Sequence, residues 1–508
     1  MFISLATPFE MIQSDTTTIK QYGLPAELLM ENAGRESFSS IEKECGTVAN
    51  RRVFVFAGSG NNGGDGIVLA RYLKEAGAHV IVILEREPEL LPKVSSWHYH
   101  IAKKYGIQFV SVQEFYTDIA FSIKPDIIID ALVGVGFTGI LRDNLQKRIQ
   151  YINSFSNQAY IVALDIPSGI HCFTGTPSPI AVKADMTITF HIGKVGLYMP
   201  TAREYVGKIM TCNIGMPEKV NQKKYQALLY PPEKPNIQQN LHKHSAGRVL
   251  IIGGSEEYIG APIFCAKAAY KMGAGSVTIA TLERVADTIR SNEYDTLITP
   301  LQHTNWGLLA FHTIQPLLEI YDTVIVGPGM GSSPGVKDFV FAMLQNPRPI
   351  TIFDADAVRT IPLLHTSIRS FLTSTDILTP HIGELSQMLN TSPQNIQKNK
   401  LDIAHMCKQS EAITVIKDAG TIITQKNEPI TLSPFTIPNL AIAGSGDILS
   451  GMIAGECLKK KSPFLATCSA VYYHAQVGES LRENFPLRGN TPEDIIEHIP
   501  LLLKKLYA

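Results

Sequence analysis

Short apolar runs rich in β-branched residues recur along this chain, and stretches of helical character lie between them. In the amino-terminal half these runs occupy residues 52–57, 79–84, 126–131, 160–165 and 186–190. Because the apolar residues are continuous rather than alternating, the runs are typical of strands that are buried on both faces, as in a mainly parallel sheet covered by helices. The pattern therefore predicts an α/β domain.

The same alternation returns in the carboxyl-terminal half, with apolar runs at residues 248–252, 276–280, 323–326, 350–353 and 412–416. Between the halves, segment 213–240 is rich in proline and polar amides and shows no strand pattern, so we expect the domain boundary within residues 225–240. A chain of 508 residues is long enough for two large domains. We predict one α/β domain over residues 1–220 and a second over residues 236–508.

Composition restricts the classes of partner. The chain carries 45 Lys and Arg against 46 Asp and Glu, so it lacks the basic excess that nucleic acid or an anionic membrane surface would require. Its seven cysteines show no metal-ligand spacing and are expected to be buried, reduced thiols. The amino terminus does not resemble a signal peptide, and no apolar stretch is long enough to span a membrane. We expect a cytoplasmic enzyme that acts on small molecules.

The loop GSGNNGGDG at residues 58–66 joins the first apolar run to a helix. Glycines in such a loop permit positive φ angles and allow the backbone N–H groups at the start of the helix to face an anion. A tight turn without a ligand would also use glycine, but it does not need Asn61, Asn62 and Asp65 together. The loop indicates a dinucleotide or phosphate site.

Two carboxylates close later strands of the same predicted sheet, Asp130 before a glycine-rich loop and Asp165 before the turn IPSG. Ligands of open parallel sheets bind beyond the carboxyl ends of the strands, where these loops would meet the first one. Either aspartate could instead cap the following turn. The oxygens of Asn62, Asp130 and Ser168 also suit a monovalent cation or Mg²⁺, and the sequence leaves the choice of ion open.

In the second half, the segment AGSGD at residues 443–447 precedes a helix. Such a loop aims backbone N–H groups at a phosphate and places Asp447 where it can accept a proton from a hydroxyl, an arrangement suited to phosphoryl transfer. A plain capped helix is the alternative. His381 and Lys417 each follow a predicted strand, so we expect them to share a cleft with Asp447, although a structural histidine and a solvated lysine are the simpler interpretations.

Taken together, the motifs carry a family resemblance. The first-half motifs resemble the NAD(P)H-hydrate epimerase domain, which implies a Rossmann-like three-layer α/β fold: LLMENAG at 28–34, AGSGNNGGDG at 57–66, DALVGVG at 130–136, DIPSG at 165–169 and ADMTITFHIGKVGL at 184–197. The second-half motifs resemble the ADP- or ATP-dependent NAD(P)H-hydrate dehydratase, which implies a ribokinase-like α/β fold: GGSEEYIGAP at 253–262, GPGMG at 327–331, TPHIGE at 379–384, KDAGT at 417–421 and AGSGD at 443–447. Their order on one chain is similar to the bifunctional NAD(P)H-hydrate repair enzymes.

The resemblance implies a substrate and an N-terminal site. The substrates would be NADHX and NADPHX, the forms of NADH and NADPH hydrated at the nicotinamide ring, whose R and S epimers the first domain would interconvert with Asp165 as the acid–base residue. The hydrate would contact Asn61, Asn62, Gly63, Gly64, Asp65, Gly134, Val135, Gly136, Phe137, Thr138, Gly139, Ile140 and Asp165. Potassium would be held by Asn62, Asp130 and Ser168. His171 and Phe173 depart from the acidic pair that the family often has there.

The resemblance likewise implies that the second domain dehydrates the S epimer with ADP or ATP and Mg²⁺, with Asp447 as the catalytic base. The hydrate would contact Ala261, Gly331, His381 and Asp447. The nucleotide would contact Lys417, Asp418, Ala419, Gly420, Thr421 and Gly446. The family also implies a homo-oligomer. Two other interpretations stay open at this point: a vitamin or sugar kinase with a dinucleotide-sensing module, and a cofactor-binding protein without catalytic activity.

Overall fold

The computed structural model describes residues 1–120, 122–137, 139–221, 223–234, 245–291, 295–459 and 461–507. The chain divides into two compact units, one formed by Ile3–Gln226 and the other by Met1–Phe2 together with Ala227–Ala508. The division falls inside segment 225–240, and residues 235–240 of that segment lie outside the described part. The prediction that segment 213–240 has no strand is wrong, because strand Tyr225–Leu228 lies there. Its four residues are too few to give a clear apolar pattern.

In the described residues of the first unit, the strands from β1 to β9 are Phe2–Ala6, Arg52–Ala57, His79–Leu84, Gln108–Ser111, Ile127–Ala131, Tyr160–Leu164, Met186–Phe190, Gly193–Lys194 and Lys208–Cys212. Its α-helices, from α1 to α7, are Pro8–Lys20, Ala26–Cys45, Asn61–Glu75, Lys93–Lys104, Val112–Glu114, Asp143–Asn153 and Arg203–Val206. All five predicted strands of this half are present, as β2, β3, β5, β6 and β7.

The main sheet of this unit has the strand order β4-β3-β2-β5-β6-β7-β9, and every neighbouring pair is parallel. The chain therefore starts in the middle of the sheet, winds outward to β4, and returns to build the other side from β5. Val53 and Val55 pack into one apolar cluster and Phe54 and Phe56 into another, so both faces of β2 are covered. This is the predicted Rossmann-like three-layer fold, and its switch point lies between β2 and β5.

Strand β10 is Tyr225–Leu228, where the division between the units falls. The strands of the second unit from β11 to β19 are Arg248–Ile252, Ser276–Leu282, Leu297–Leu301, Thr323–Val326, Ile350–Phe353, Asp376–Leu378, Ile413–Ile416, Ile422–Thr424 and Ile430–Leu432. Its α-helices, from α8 to α19, are Gly260–Lys271, Glu283–Arg290, Leu308–Ile314, Pro334–Gln345, Ala355–Val358, Thr366–Arg369, Ile382–Met388, Pro393–Lys398, Lys400–Cys407, Ser445–Cys457, Pro463–Ser480 and Pro492–Tyr507.

These strands follow the order β13-β12-β11-β14-β15-β16-β17-β18-β19. They are parallel from β13 through β17, after which β18 and β19 continue the sheet as an antiparallel hairpin. The second unit is therefore also α/β, as predicted. Among the described residues, no helix combines the length and the apolar character needed to cross a membrane. All seven cysteines are free, and all except the half-buried Cys45 are buried.

Candidate active sites

The glycine loop of the first unit is shaped by close packing. A Cβ atom on Gly58 would lie 1.8 Å from the carbonyl oxygen of Leu132, and one on Gly63 would lie 2.0 Å from the carbonyl oxygen of Gly58. Helix α3 begins at Asn61, so residues 61–66 of the predicted loop are helical instead and only residues 58–60 form the loop. Glycine is required here because the loop after β2 and the loop after β5 contact each other through their backbones, which brings Asn61 and Asp65 to the carboxyl edge of the sheet.

A cavity of about 820 Å³ opens at this edge. Its lining includes these predicted contact residues: Asn61, Asn62, Asp65, Gly134, Val135, Gly136, Phe137, Ile140 and Asp165. Gly63, Gly64 and Gly139 do not line it, and Thr138 lies outside the described residues. Gly64 packs on Met30 instead, since a Cβ there would lie 2.5 Å from the Met30 sulfur. The structure therefore brings most of the predicted contact residues together in one cavity. Gly63 and Gly64 pack closely against neighbouring residues outside its lining.

Asp165 forms an ion pair with a lysine that the sequence reasoning missed. Lys194 in β8 is fully buried, and its Nζ lies 2.6 Å from Asp165 Oδ1. The same ammonium donates to Thr189 Oγ1 and to the Phe190 carbonyl, both at 2.9 Å. Asp165 itself has a φ of +66°, an unusual value for a residue with a Cβ, and such local strain is typical of functional positions. The sequence contained one indication of this role, because Lys194 lies within the family motif at residues 184–197.

Two further carboxylates, those of Asp65 and Asp15, line the same cavity. Burial raises the pKa of Asp65 well above its usual range, and the Asp165 and Asp15 carboxylates raise it further, against the opposing effect of Lys194. Burial also raises the pKa of Asp15 to about 6. Asp15 was not predicted from the sequence. The lining of the cavity thus includes the Lys194 ammonium group and the carboxylates of Asp15, Asp65, Glu85 and Asp165, and the raised pKa of Asp65 makes it the better proton donor.

Of the predicted cation ligands, Asp130 lies near the end of β5, Ser168 lies shortly after β6, and Asn62 lies in the first turn of α3. Asp130 is buried, and its two oxygens accept hydrogen bonds from Ser168, one from Oγ at 2.6 Å and one from the backbone N–H at 2.8 Å. Burial raises the pKa of Asp130 to about 6. Asn62 donates to the Leu164 carbonyl at 3.2 Å, while its buried Oδ1 accepts no hydrogen bond from the described residues. The Asn62 amide oxygen is therefore available to a ligand, and amide, carboxylate and hydroxyl oxygens suit a weakly held cation.

In the second unit, the segment 443–447 forms the start of helix α17. Gly444 caps this helix with a φ of +88°, and Asp447 is the third helical residue. Two cavities meet at this segment, of about 710 and 600 Å³, and Asp447 lines both. One carboxylate at a helix amino terminus therefore faces two separate binding spaces.

The predicted contacts are divided between the two cavities. The larger is lined by His381, Lys417, Asp418, Ala419, Thr421, Gly446 and Asp447 together with apolar residues such as Phe435. The smaller is lined by Ala261 and Asp447, with Tyr258 and Phe264. Gly331 and Gly420 line neither; the Gly331 N–H donates to Asp356 Oδ2 at 2.6 Å. His474 was missed, although it lines the larger cavity and its Nε2 lies 3.1 Å from Ser445 Oγ.

Lys417 is held by the buried carboxylate of Asp354, at 2.7 Å from Nζ to Oδ1. Hydroxyl groups of Thr379 and Ser450 also donate to this carboxylate, each at 2.7 Å. Burial opposes the ionisation of both partners, but their mutual attraction lowers the pKa of Asp354 and raises that of Lys417. The lysine is therefore a fixed cation. A Cβ on Gly446 would lie only 3.2 Å from its Nζ, so it lies close to the start of α17.

In contrast to Asp354, the acidic groups of Asp447 and Glu384 in the larger cavity have raised pKa values. Burial and then the Asp354 carboxylate raise the pKa of Asp447 to about 7, and burial raises that of Glu384 to about 7. His381 caps helix α14, since its Nδ1 accepts hydrogen bonds from the N–H groups of Gly383 and Glu384. Burial followed by Lys417 lowers the pKa of His381. A carboxylate with a pKa near 7 suits general base catalysis.

Comparisons with known proteins agree with this geometry. The family model for the YjeF-related protein N-terminus matches residues 26–196, and the model for NAD(P)H-hydrate dehydratase matches residues 249–501. A bifunctional NAD(P)H-hydrate repair enzyme of Moorella thermoacetica is 32% identical over 99% of this chain and 97% of its own length. The chain belongs to the bifunctional NAD(P)H-hydrate repair enzyme family. Its function is that of a bifunctional NAD(P)H-hydrate repair enzyme with a dehydratase domain, as the motifs predicted.

A second member of this repair family, from Methanothermobacter thermautotrophicus, is 31% identical over 98% of this chain and 95% of its own. Among solved structures, the ADP/ATP-dependent NAD(P)H-hydrate dehydratase of Bacillus subtilis, co-crystallised with ATP and Mg²⁺, is similar over 54% of this chain and 94% of that one, with 24% identity and a TM-score of 0.47. Membership of this family argues against both alternative functions that the motifs left open, a vitamin or sugar kinase and a cofactor-binding protein without catalytic activity.

Proposed function

We propose that this chain returns both epimers of NADHX and NADPHX to NADH and NADPH. The cavity of the first unit interconverts the R and S epimers, and the two cavities of the second unit bind the S epimer and ADP or ATP. The observation that supports this most directly is the position of Asp447, which faces two cavities at one helix amino terminus. Two ligands could meet there, as transfer of a phosphoryl group requires.

For the epimerase, we propose that Asp65 acts as the acid and Asp165 as the base. Protonation of the C6 hydroxyl allows it to leave as water, and the ring nitrogen supplies the electron pair that forms an iminium ion. Water then adds to the opposite face of C6 and loses a proton to Asp165, and transfer of this proton from Asp165 through water to Asp65 restores both carboxyl groups. The raised pKa of Asp65 and the Lys194 ion pair of Asp165 support this division of roles.

For the cation of the epimerase, we propose potassium held by Asn62 Oδ1, an Asp130 carboxylate oxygen and the Ser168 hydroxyl. The unsatisfied Asn62 oxygen supports this proposal, as does the chemistry of a carboxylate, hydroxyl and amide donor set. Among the described residues, no cluster of three or more His, Cys, Asp or Glu side chains could hold a metal. When bound, the ion would offset the charge of Asp130 and fix the loops that follow β5 and β6.

For the dehydratase, we propose that Asp447 removes the proton of the C6 hydroxyl while the oxygen attacks the terminal phosphoryl group of the nucleotide. The phosphate ester formed is a good leaving group, so the ring nitrogen expels inorganic phosphate, and loss of a proton from C5 restores the dihydronicotinamide. The amino end of α17 and Lys417 would stabilise the transferring charge. Mg²⁺ would be held by the nucleotide phosphates and by Glu384, and when bound it neutralises phosphate charge.

The dehydratase proposal is tested by the products. The protein is incubated with the purified S epimer of NADHX, Mg²⁺ and either ADP or ATP. We expect the absorbance of the dihydronicotinamide to appear together with an equal amount of inorganic phosphate. A stable phosphorylated hydrate, with no return of the absorbance, would instead show a kinase and contradict the proposal.

A further inference from the structure

Glu85 and Arg86 directly follow strand β3. In the winding of this sheet β3 is the second strand, adjacent to the β2 strand that carries the glycine loop. In doubly wound sheets of this order the carboxyl end of the second strand meets the adenosine ribose of a dinucleotide. An acidic residue there binds the ribose 2′-hydroxyl, and an arginine there accommodates a 2′-phosphate. This chain has one of each at that point.

The carboxylate of Glu85 is hydrogen-bonded to another side chain. Its Oε1 accepts a hydrogen bond from Arg148 Nε at 3.1 Å, and both side chains are largely buried. Arg148 is itself fixed, with its guanidinium 4.8 Å from the centre of the Tyr116 ring. The carboxylate is therefore neutralised by a partner from helix α6, so it adds little net negative charge to repel a phosphate.

Arg86 differs from Glu85 in being exposed, and its guanidinium has no hydrogen bond or ion pair within the described ranges of the chain. It lines the same 820 Å³ cavity as Asn61 and Asp165, so it faces the space that holds the reacting part of the substrate. A planar guanidinium with free donors is suited to bidentate recognition of a phosphate.

We propose that Arg86 binds the 2′-phosphate of NADPHX and makes the epimerase prefer NADPHX to NADHX. This inference rests on the proposed epimerase function and adds the orientation of its substrate: the nicotinamide end lies at Asp165, and the adenosine end lies at the carboxyl end of β3. The 2′-phosphate is the group that distinguishes the two substrates, and of Arg86 and Arg142, which both line the cavity, Arg86 is the one that directly follows β3.

The test compares R86Q with the wild type in the full-length chain. Epimerisation of purified R epimers is followed by chromatography without nucleotide or Mg²⁺, so that dehydration does not remove the product. We expect R86Q to lower the ratio of kcat/KM for NADPHX to that for NADHX by about ten- to a hundredfold, the usual effect of losing a charge-assisted hydrogen bond. R203Q removes an exposed arginine that is not among the described residues lining the cavity, and it should leave the ratio unchanged.

Several outcomes would overturn the inference. An equal loss for both substrates would show that Arg86 binds a part that they share, such as the pyrophosphate. An unchanged ratio would show that the adenosine end lies elsewhere, while active wild-type enzyme would leave the epimerase function intact. If the wild type epimerised neither substrate, the proposed epimerase function would itself be wrong. Calorimetry with NADP⁺ and NAD⁺ would then still decide the orientation, because R86Q must weaken NADP⁺ selectively.

Discussion

At the scale of single residues, the two sites use buried charge differently. In the first unit Lys194 is paired directly with Asp165, the residue proposed to do the chemistry. In the second unit Lys417 is paired with Asp354, so Asp447 keeps a pKa of about 7. A pairing lysine would make Asp447 a weaker base, and the structure avoids this by giving the lysine a separate partner.

The pKa of Asp447 predicts the pH dependence of dehydration. A base acts only after it has lost its proton, so kcat/KM should rise with pH through about 7. E384Q should move this midpoint to lower pH, because the Glu384 carboxylate contributes to raising the pKa of Asp447. The measurement is a profile of kcat/KM between about pH 5 and pH 9. E411Q changes an exposed carboxylate and should leave the midpoint in place. A flat wild-type profile would contradict the assignment of Asp447 as the base.

Asp130 predicts a separate effect on the cation. D130A removes the only carboxylate of the three proposed ligands, so it should weaken epimerisation and abolish its stimulation by potassium. Initial rates of epimerisation are measured across a potassium series, with sodium keeping the ionic strength constant. Dehydration by the same preparation serves as the control and should be unaffected. Potassium stimulation that survives in D130A would place the cation elsewhere.

At the scale of elements, both sites are built at a helix amino terminus that directly follows a glycine residue. Helix α3 follows β2 in the first unit, and α17 begins after Gly444 in the second. The loops are close-packed, and Gly444 has a backbone conformation that residues with a Cβ rarely adopt. The position of the phosphate-facing N–H groups therefore depends on glycine as much as on the polar side chains.

Gly444 gives a prediction at this scale. G444A should destabilise the second unit by about 1 kcal/mol or more, because φ is +88° and the added Cβ would lie 3.1 Å from Phe264 and from Pro492. It should also weaken nucleotide binding, since the start of α17 must shift. Urea unfolding measures the stability and calorimetry the binding. G260A is the matched control, because its Cβ would meet only ordinary contacts at 3.7 Å. Equal stability of the two variants would contradict the structural argument.

At the scale of the whole molecule, each activity has its residues within one compact unit. The proposed epimerase residues lie within Ile3–Gln226, and the proposed dehydratase residues lie within Ala227–Ala508. The two units differ in strand order, and each has its own cavities. The homo-oligomer implied by the family resemblance remains a prediction.

Because each activity has its residues in one unit, we predict that the two activities can be obtained on separate fragments of the chain. A fragment of residues 1–220 should fold and interconvert the epimers, and a fragment of residues 236–508 should dehydrate the S epimer, because each is large enough for its own core. Circular dichroism checks the folding, and the two assays check the activities. If both fragments fold but neither is active, residues from both units are needed at a site.

Much of this architecture could be predicted from the sequence, because apolar runs and glycine loops are local signals. The Rossmann-like sheet, the loop at Asn61 and the AGSGD segment are of this kind. Lys194 and Asp15 could not be assigned in the same way, since their roles depend on tertiary contacts with Asp165 and Asp65. Strand Tyr225–Leu228 was also missed, because a four-residue strand in a polar segment carries little pattern.

The most direct test of the account is the amount of dihydronicotinamide recovered from a mixture of R and S hydrates with ADP or ATP and Mg²⁺. The wild type should convert the whole mixture, because epimerisation feeds the S epimer to the dehydratase. D165N should stop at the S fraction and continue only at the spontaneous rate of epimerisation. D447N should bind nucleotide but lose about 10²-fold or more of its dehydration rate. Full recovery by D165N at the wild-type rate, or a D447N enzyme with most of its dehydration rate, would contradict the account.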